Sequence, residues 1–277
     1  MTPVQGHDQA SDLTLWRPKL VAVDADGTIV EAGDHVPDGI AAALRDVDAA
    51  GVPVVLATGR SWLAARIILE KMGITDMYCV CSNGATVISY PDENVVGQVT
   101  FDPAPLVEAL RDHPTVVVAV EDFGHGYNLS APFPPGGFEL RGELRVVGWD
   151  ELAQQEVLRM IVRDPFVTPA DFDAMMSQLD LSQLYWCSMG ENWIEIGGQA
   201  AGKSRGLELV ADRLGVDQTD VLALGDGNND IDMVSWAGRG VALADAPPEL
   251  KAVADAVTGS FASGGTVEEL RRWFPVL

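Results

Sequence analysis

"LVAVDADGT", residues 20–28, decides how the rest of the chain is read. Its first four residues are apolar without alternation, as in a strand buried on both faces of a helix-covered parallel sheet. The run then breaks into two aspartates one residue apart, a glycine for a tight turn and a threonine. Ligands of open α/β sheets bind outside the carboxyl ends of the strands, so Asp24, Asp26 and Thr28 fall where a ligand would sit. Two carboxylates and a hydroxyl make a hard-oxygen site suited to Mg²⁺.

The segments on either side repeat the pattern. "DGIAAALRDVDAAG" (38–51) places Ile40, Leu44 and Val47 at helical spacing, and "VPVVLATGR" (52–60) predicts a second strand. Ser61 can cap the next helix, "SWLAARIILEKMG" (61–73), which stops at Gly73. "MYCVCSNGA" (77–85) predicts a third strand. From about 86 to 190 the rhythm changes: proline and glycine cluster in "APFPPGG" (131–137). Short apolar runs at 115–120, 158–164 and 184–189 flank a helix-like "DFDAMMSQL" (171–179). The α/β rhythm returns with "NWIEI" (192–196), "VLALGDG" (221–227) and "GVALADA" (240–246), each before a helical pattern. The expected fold class is α/β, a Rossmann-like parallel sheet with helices on both faces plus an inserted α+β unit. Residues 1–17 read as a disordered polar arm, 18–86 and 191–277 as the core, and 87–190 as the insertion.

Bulk properties narrow the function classes. In 277 residues, 18 Lys and Arg face 41 Asp and Glu, for a net charge of −23. Such a field repels nucleic-acid backbones and anionic membranes, so neither is an expected partner, and a small anionic substrate would need a local cation. Cys79, Cys81 and Cys187 form no disulfide framework. The first two alternate in an apolar run and read as small buried hydrophobes on one face. The start lacks the apolar stretch of a signal peptide, and no segment approaches the ~20 apolar residues of a membrane span. The expected location is the cytoplasm, as a monomer or small homo-oligomer.

Three further segments carry chemistry. "LATGRS" (56–61) sets Thr58 and the Gly59 amide at a strand end next to a helix start, a natural phosphate seat. "GDGNND" (225–230) is a second acidic cluster at a strand end. Neither acidic loop is an EF-hand: counting from Asp226 the sixth residue is Ile231 and the twelfth Ala237, where Gly and Glu are required. "GGQAAGKS" (197–204) satisfies the phosphate-cradling P-loop pattern in full. A P-loop needs most of an α/β domain downstream, however, and too little chain follows Ser204. A P-loop NTPase would also leave "DADGT" and "LATGR" unexplained.

Taken in order, "DADGT", "LATGR", Lys203 and "GDGNND", with "SNGA" (82–85), resemble the haloacid dehalogenase superfamily, specifically its Cof-type, sugar-phosphatase-like branch with a type IIB cap. The resemblance covers residues 18–277 and places a substrate-specificity cap where the insertion lies. Ala25 departs from the commoner Leu or Met, and Asp245 stands where Asn is usual. The resemblance implies a Mg²⁺-dependent phosphatase for small phosphate monoesters such as sugar phosphates, working through an aspartyl-phosphate. Asp24 would be the nucleophile and Asp26 the general acid and base. Ala25, Thr58, Gly59, Lys203 and Asn229 would hold the phosphate, and Asp24, Asp26 (by its backbone carbonyl) and Asp226 the metal. Asp230 would cap its helix or orient Lys203. A phosphomutase of the same superfamily, the P-loop NTPase and a non-catalytic binding protein are the alternatives. Within the cap, Glu121, His125, Tyr127, Arg163 and Trp186 are candidate substrate contacts, each with a structural or surface role as the simpler reading. His7, His35 and His113 have no partner at ligand spacing. No motif names the substrate.

Overall fold

The computed structural model describes residues 16–31, 33–136 and 140–275. The chain lays down β1 (Leu20–Val23), β2 (Val54–Ala57), β3 (Met77–Cys81), β4 (Thr86–Tyr90) and β5 (Asn94–Gln98). It then passes through β6 (Val117–Asp122), β7 (Gly126–Leu129), β8 (Glu143–Val146), β9 (Arg159–Arg163), β10 (Leu184–Gly190) and β11 (Trp193–Gly198). β12 (Val221–Gly225), β13 (Arg239–Ala242) and β14 (Ala256–Val257) complete it. The larger sheet has eight strands in the order β14-β13-β12-β1-β2-β3-β4-β5, and the smaller has six, β10-β11-β9-β6-β7-β8. β1 pairs in parallel with β12 on one side and β2 on the other, so the two halves of the chain meet at the sheet's centre.

Every residue of β1 is buried, as its unbroken apolar run requires. Val21 and Val23 join one apolar cluster with Ile40, Leu44, Ile68 and Leu270. Leu20 and Ala22 point the other way, into a cluster with Leu207, Val210, Met233 and Leu250. This period of two across a strand puts helices on both faces. Cys79 and Cys81 share the first cluster with their sulfurs 3.1 Å apart, as their alternation predicts, and Cys187 is likewise buried and free.

The sheets differ from the sequence expectation at both borders of the insertion. β4 and β5, assigned to the insertion, extend the larger sheet by antiparallel pairing. "NWIEI", assigned to the core, forms β11 between β9 and β10 in the smaller sheet. An apolar strand followed by a helix reads alike in either sheet, because pairing partners far along the chain decide which sheet receives it. Residues 1–15, including His7, lie outside the described residues. Trp16 and Arg17, placed in the polar arm, are anchored instead: the Trp16 ring meets Trp273 edge-on at 4.9 Å, and Arg17 donates to the Trp273 carbonyl at 3.2 Å. Ser61 does begin the helix Trp62–Met72, but its side chain makes no capping bond and its hydroxyl faces the Tyr127 phenol of the smaller sheet.

The joint from β11 into the helix Lys203–Leu214 is pinned. The Gly202 N–H donates to the Asn83 carbonyl at 2.8 Å. Ser82, Asn83 and Gly84 all have positive φ, and a Cβ on Gly84 would come within 1.9 Å of the Gly202 oxygen. Only glycine allows so close an approach. Among the described residues no helix is long and apolar enough to cross a membrane.

Candidate active site

β2, β1 and β12 are neighbours, so the segments 58–61, 24–28 and 226–230 that follow them lie side by side. Lys203, at the start of its helix, is fully buried beneath them. Its ammonium donates to Asp24 Oδ1 at 2.6 Å and to Asp230 Oδ1 at 2.5 Å. The second Asp230 oxygen accepts the Asp226 and Gly227 amides at 2.9 and 2.8 Å. Asp230 therefore orients Lys203 and ties down its own loop. Thr28 donates to Asp226 Oδ1 at 2.7 Å. Gly27 has φ +82°, and a Cβ there would fall 2.2 Å from an Asp226 oxygen, so the turn closes only because the side chain is missing.

Asp24, Asp226 and Asp230 each present an oxygen within 4.8 Å of the others. One ammonium does not balance three carboxylates. Burial, and next the Asp230 charge, push Asp24 well above the usual carboxylate range against the pull of Lys203. The same two causes push Asp226 up to about 6. Burial alone would lower Lys203, but Asp230 and Asp24 outweigh it and raise it. A crowded, buried, all-oxygen set that lacks positive charge is the donor chemistry of a hard divalent cation. Asp26 adds no carboxylate to this set, whereas Asp230, expected only to support it, does.

The Asp26 carboxylate turns instead to Arg60, which grips both of its oxygens, Nε to Oδ2 at 2.8 Å and Nη2 to Oδ1 at 2.6 Å. Arg60 also bonds Asp34, which takes Arg141 of the smaller sheet's domain at 2.9 Å. Beside this pair a cavity of about 410 Å³ opens between the two sheets, lined among others by Asp26, Arg60, Ser61, Tyr127, Arg159 and Glu195. That volume lies within the ~300–1,000 Å³ of small-molecule sites.

The roof of the cavity is a buried ionic network centred on Arg159. It donates to Glu121 Oε2 at 3.0 Å, to Glu195 Oε2 at 3.1 Å, to the Tyr127 hydroxyl and to the Gly59 carbonyl. Ser82 donates to Glu121 at 2.7 Å, and Asn83 to Glu195 at 2.9 Å. Asn83 in turn accepts from Asn229 at 3.0 Å. Thr58 is buried and holds the Arg60 amide at 3.0 Å, and Ala25 is fully buried with its carbonyl accepting the Ile29 and Val30 amides at 2.8 Å. Asp24, Ala25, Thr58, Gly59, Lys203, Asp226, Asn229 and Asp230 thus share one strand-end cluster, with Asp26 at the mouth of the cavity.

Of the five cap residues singled out from sequence, Glu121 and Tyr127 reach this network. Arg163 binds the carbonyls of Pro134, Pro135 and Gly136 and stacks on Trp193 at 4.7 Å, His125 is exposed beside Asp122, and Trp186 is 52% exposed. Sequence reasoning passed over Arg60, Asn83, Arg159 and Glu195. Arg60 and Asn83 stood inside quoted motifs. Arg159 and Glu195 had a weaker signal: Arg159 opens the apolar run of β9 and Glu195 is the one charge within β11, both at buried positions that demand a partner. The P-loop pattern fails on geometry. Gly197 lies in β11, paired on both sides, and Ser204 gives its N–H and hydroxyl to Asp232 at 2.9 Å.

The family description haloacid dehalogenase-like hydrolase matches residues 21–270. A phosphoglycolate phosphatase of Archaeoglobus fulgidus is 30% identical over 261 residues, covering 93% of this chain and 97% of that one. A 5-amino-6-(5-phospho-D-ribitylamino)uracil phosphatase of Bacillus subtilis is 25% identical over 257 residues, covering 92% and 95%. A solved subclass IIB sugar phosphatase superposes with a TM-score of 0.77 at 19% identity, over 92% of this chain and 98% of that chain. A solved phosphatase from Bacteroides thetaiotaomicron gives a TM-score of 0.77 at 25% identity, over 93% and 95%.

Proposed function

The chain belongs to the haloacid dehalogenase-like hydrolases and is a phosphatase, and on that premise we propose that it hydrolyses small phosphate monoesters with Mg²⁺ through an aspartyl-phosphate. The observation that carries the reading is Lys203, locked between Asp24 and Asp230 beside Asp226 at the meeting point of the chain's two halves. Asp24, Asp226 and Asp230 offer the carboxylates for the metal, with the Asp26 backbone carbonyl as a further donor. Bound Mg²⁺ would offset the repulsion between a phosphate dianion and the carboxylates and stabilise charge developing on the transferring oxygens.

The remaining steps use this chain's own groups. The Asp24 carboxylate attacks phosphorus in line, forming a new P–O bond as the ester P–O bond breaks. Asp26, once protonated and released from Arg60, which grips both its oxygens here, gives its proton to the departing alkoxide. It then takes one from the water that attacks the same phosphorus and frees Asp24. Thr58, Lys203, Asn229 and the Ala25 and Gly59 amides hold the phosphoryl oxygens. The smaller sheet and its helices act as the cap that closes over the leaving group.

The test is phosphate release from a panel of monoesters with Mg²⁺, abolished by EDTA and restored by metal; indifference to chelation would reject the metal site. Metal binding also has a readout independent of activity. The Asp226 value of about 6 lies above the ~3.9 of an unfolded aspartate. The metal-free fold therefore binds more protons than the unfolded chain in that window, and its stability falls as pH rises from about 4 through about 6. Mg²⁺ requires ionised carboxylates, so its binding strengthens over the same window. Melting curves should show a clear Mg²⁺ stabilisation at pH 8 and little at pH 5. Equal increments at both would contradict the assignment. Asp26→Asn should slow turnover by about 10²- to 10⁴-fold while inorganic phosphate still inhibits; a wild-type rate would remove its acid–base role.

A further inference from the structure

Arg159 belongs to the cap, yet two chains of hydrogen bonds lead from it to side chains that the proposed mechanism sets on the phosphoryl group. The first runs through one peptide plane. Arg159 donates to the Gly59 carbonyl, and the N–H on the far side of that peptide, the Arg60 amide, donates to the Thr58 hydroxyl oxygen at 3.0 Å. Successive hydrogen bonds polarise one another, so a cation on the carbonyl strengthens the bond beyond it. With the Arg60 amide on its oxygen, the buried Thr58 keeps its own proton for a phosphoryl oxygen. The second chain runs through side chains. Glu195 Oε2 accepts from Arg159 at 3.1 Å and from Asn83 Nδ2 at 2.9 Å. An ionised carboxylate only accepts, which fixes the way the Asn83 amide points. The Asn83 oxygen then faces Asn229, which donates to it at 3.0 Å and has a second amide proton to spare.

We infer that Arg159 is a positioning residue for the phosphate seat: reaching Gly59 and Glu195 from the cap, it sets Thr58 and Asn229, so phosphate binds tightly only beneath a seated cap. This role rests on the phosphatase reading, which puts Thr58 and Asn229 on the phosphoryl oxygens. Glu121 and Glu195 would satisfy the charge of Arg159 within the cap alone. The bond to the Gly59 carbonyl is one that a cap stabilised for its own sake does not need. Ser82 and Asn83 meet the same two carboxylates from the core, at 2.7 and 2.9 Å. Their amides are laced to the Thr58 loop as well, Asn83 N–H to the Thr58 carbonyl at 3.1 Å and Ser82 N–H to the Arg60 carbonyl at 2.8 Å. Both core loops are thus gathered around one guanidinium. Because Gly59, Glu121, Tyr127 and Glu195 already occupy that guanidinium, its influence falls on the phosphoryl group and is the same for any leaving group.

The experiment measures, with Mg²⁺ present, the inhibition constant of inorganic phosphate and kcat/KM on p-nitrophenyl, butyl and glucose 6-phosphate esters. It compares wild type, Arg159→Gln, Thr58→Val and the double variant, each beside a thermal melt. Arg159→Gln should weaken phosphate by about 10- to 100-fold and lower kcat/KM by a similar factor on every ester. Combined with Thr58→Val, the two losses should fall short of their product by about 3-fold or more, because both remove the same contact. A merely structural Arg159 would lower kcat in proportion to the folded fraction and leave phosphate inhibition untouched. That pattern overturns the inference, as does a loss confined to one leaving group or a cycle in which the losses multiply in full. Removing the guanidinium alone strands two buried carboxylates. Phosphate inhibition is therefore also measured for Arg159→Gln joined to Glu121→Gln and Glu195→Gln, which removes the cation together with its counter-charges. The same weakening is expected there, and wild-type affinity in this variant would equally overturn the inference. A wild type that neither binds phosphate nor hydrolyses any of the esters would instead bring down the phosphatase reading, and this inference with it.

Discussion

Asp24→Asn is expected to abolish turnover while leaving the protein folded. The amide keeps an oxygen for the Lys203 ammonium that donates to Asp24 at 2.6 Å, so local geometry survives. It also removes one negative charge from a buried group whose members repel one another, so the melting temperature of the metal-free protein should hold or rise. What disappears is the proposed nucleophile. Loss of a covalent nucleophile costs on the order of 10⁴- to 10⁶-fold in kcat, the residue being catalysis by binding and electrostatics. Steady-state phosphate release, run beside a thermal melt, separates the two effects. An Asn variant retaining more than about a tenth of wild-type activity would refute the covalent route.

Lys203→Met should fail on both measurements. Its ammonium is fully buried, and removal leaves Asp24 and Asp230 facing each other and Asp226 without a counter-charge. Breaking a buried pair from one side costs about 3–5 kcal/mol. Because burial and crowding already raise Asp24 and Asp226, the loss should be smaller at pH 5, where protonation relieves the repulsion, than at pH 8. Saturating Mg²⁺ should return part of the melting temperature but not the activity, since the phosphoryl group loses its fixed cation. A nucleotide-hydrolysing P-loop would behave otherwise: ATP turnover would vanish with Lys203 and persist in Asp24→Asn. An unchanged melt for Lys203→Met would mean that the ion cluster carries no structural weight.

The larger sheet was legible because its central strands need unbroken apolar runs, and "LVAV", "VVLA" and "VLAL" can hardly be anything else in water. The strand-end cluster was legible for a related reason: each run stops on residues that have no business in a core unless they face a ligand. Sheet membership of residues 86–98 and 193–198 was not, since hydrogen-bonding partners distant in the chain assign it. Glu121 and Tyr127 of the roof were singled out, but their assembly escaped for the same cause: Arg159, Glu121 and Glu195 lie on three separate strands, and only strand pairing brings them together. Asp26 shows the limit of reading along the chain: its place at a strand end marks it as a site residue, but does not disclose the Arg60 guanidinium that grips it.

The pin at Gly202 stands between the strand bearing Glu195 and the helix that opens with Lys203. Asn83 holds this joint by its backbone carbonyl while its side chain donates to Glu195 above and accepts from Asn229 below. A displacement of the roof is thereby handed on to the residues around the buried ammonium, so the two storeys of the molecule move as one linkage.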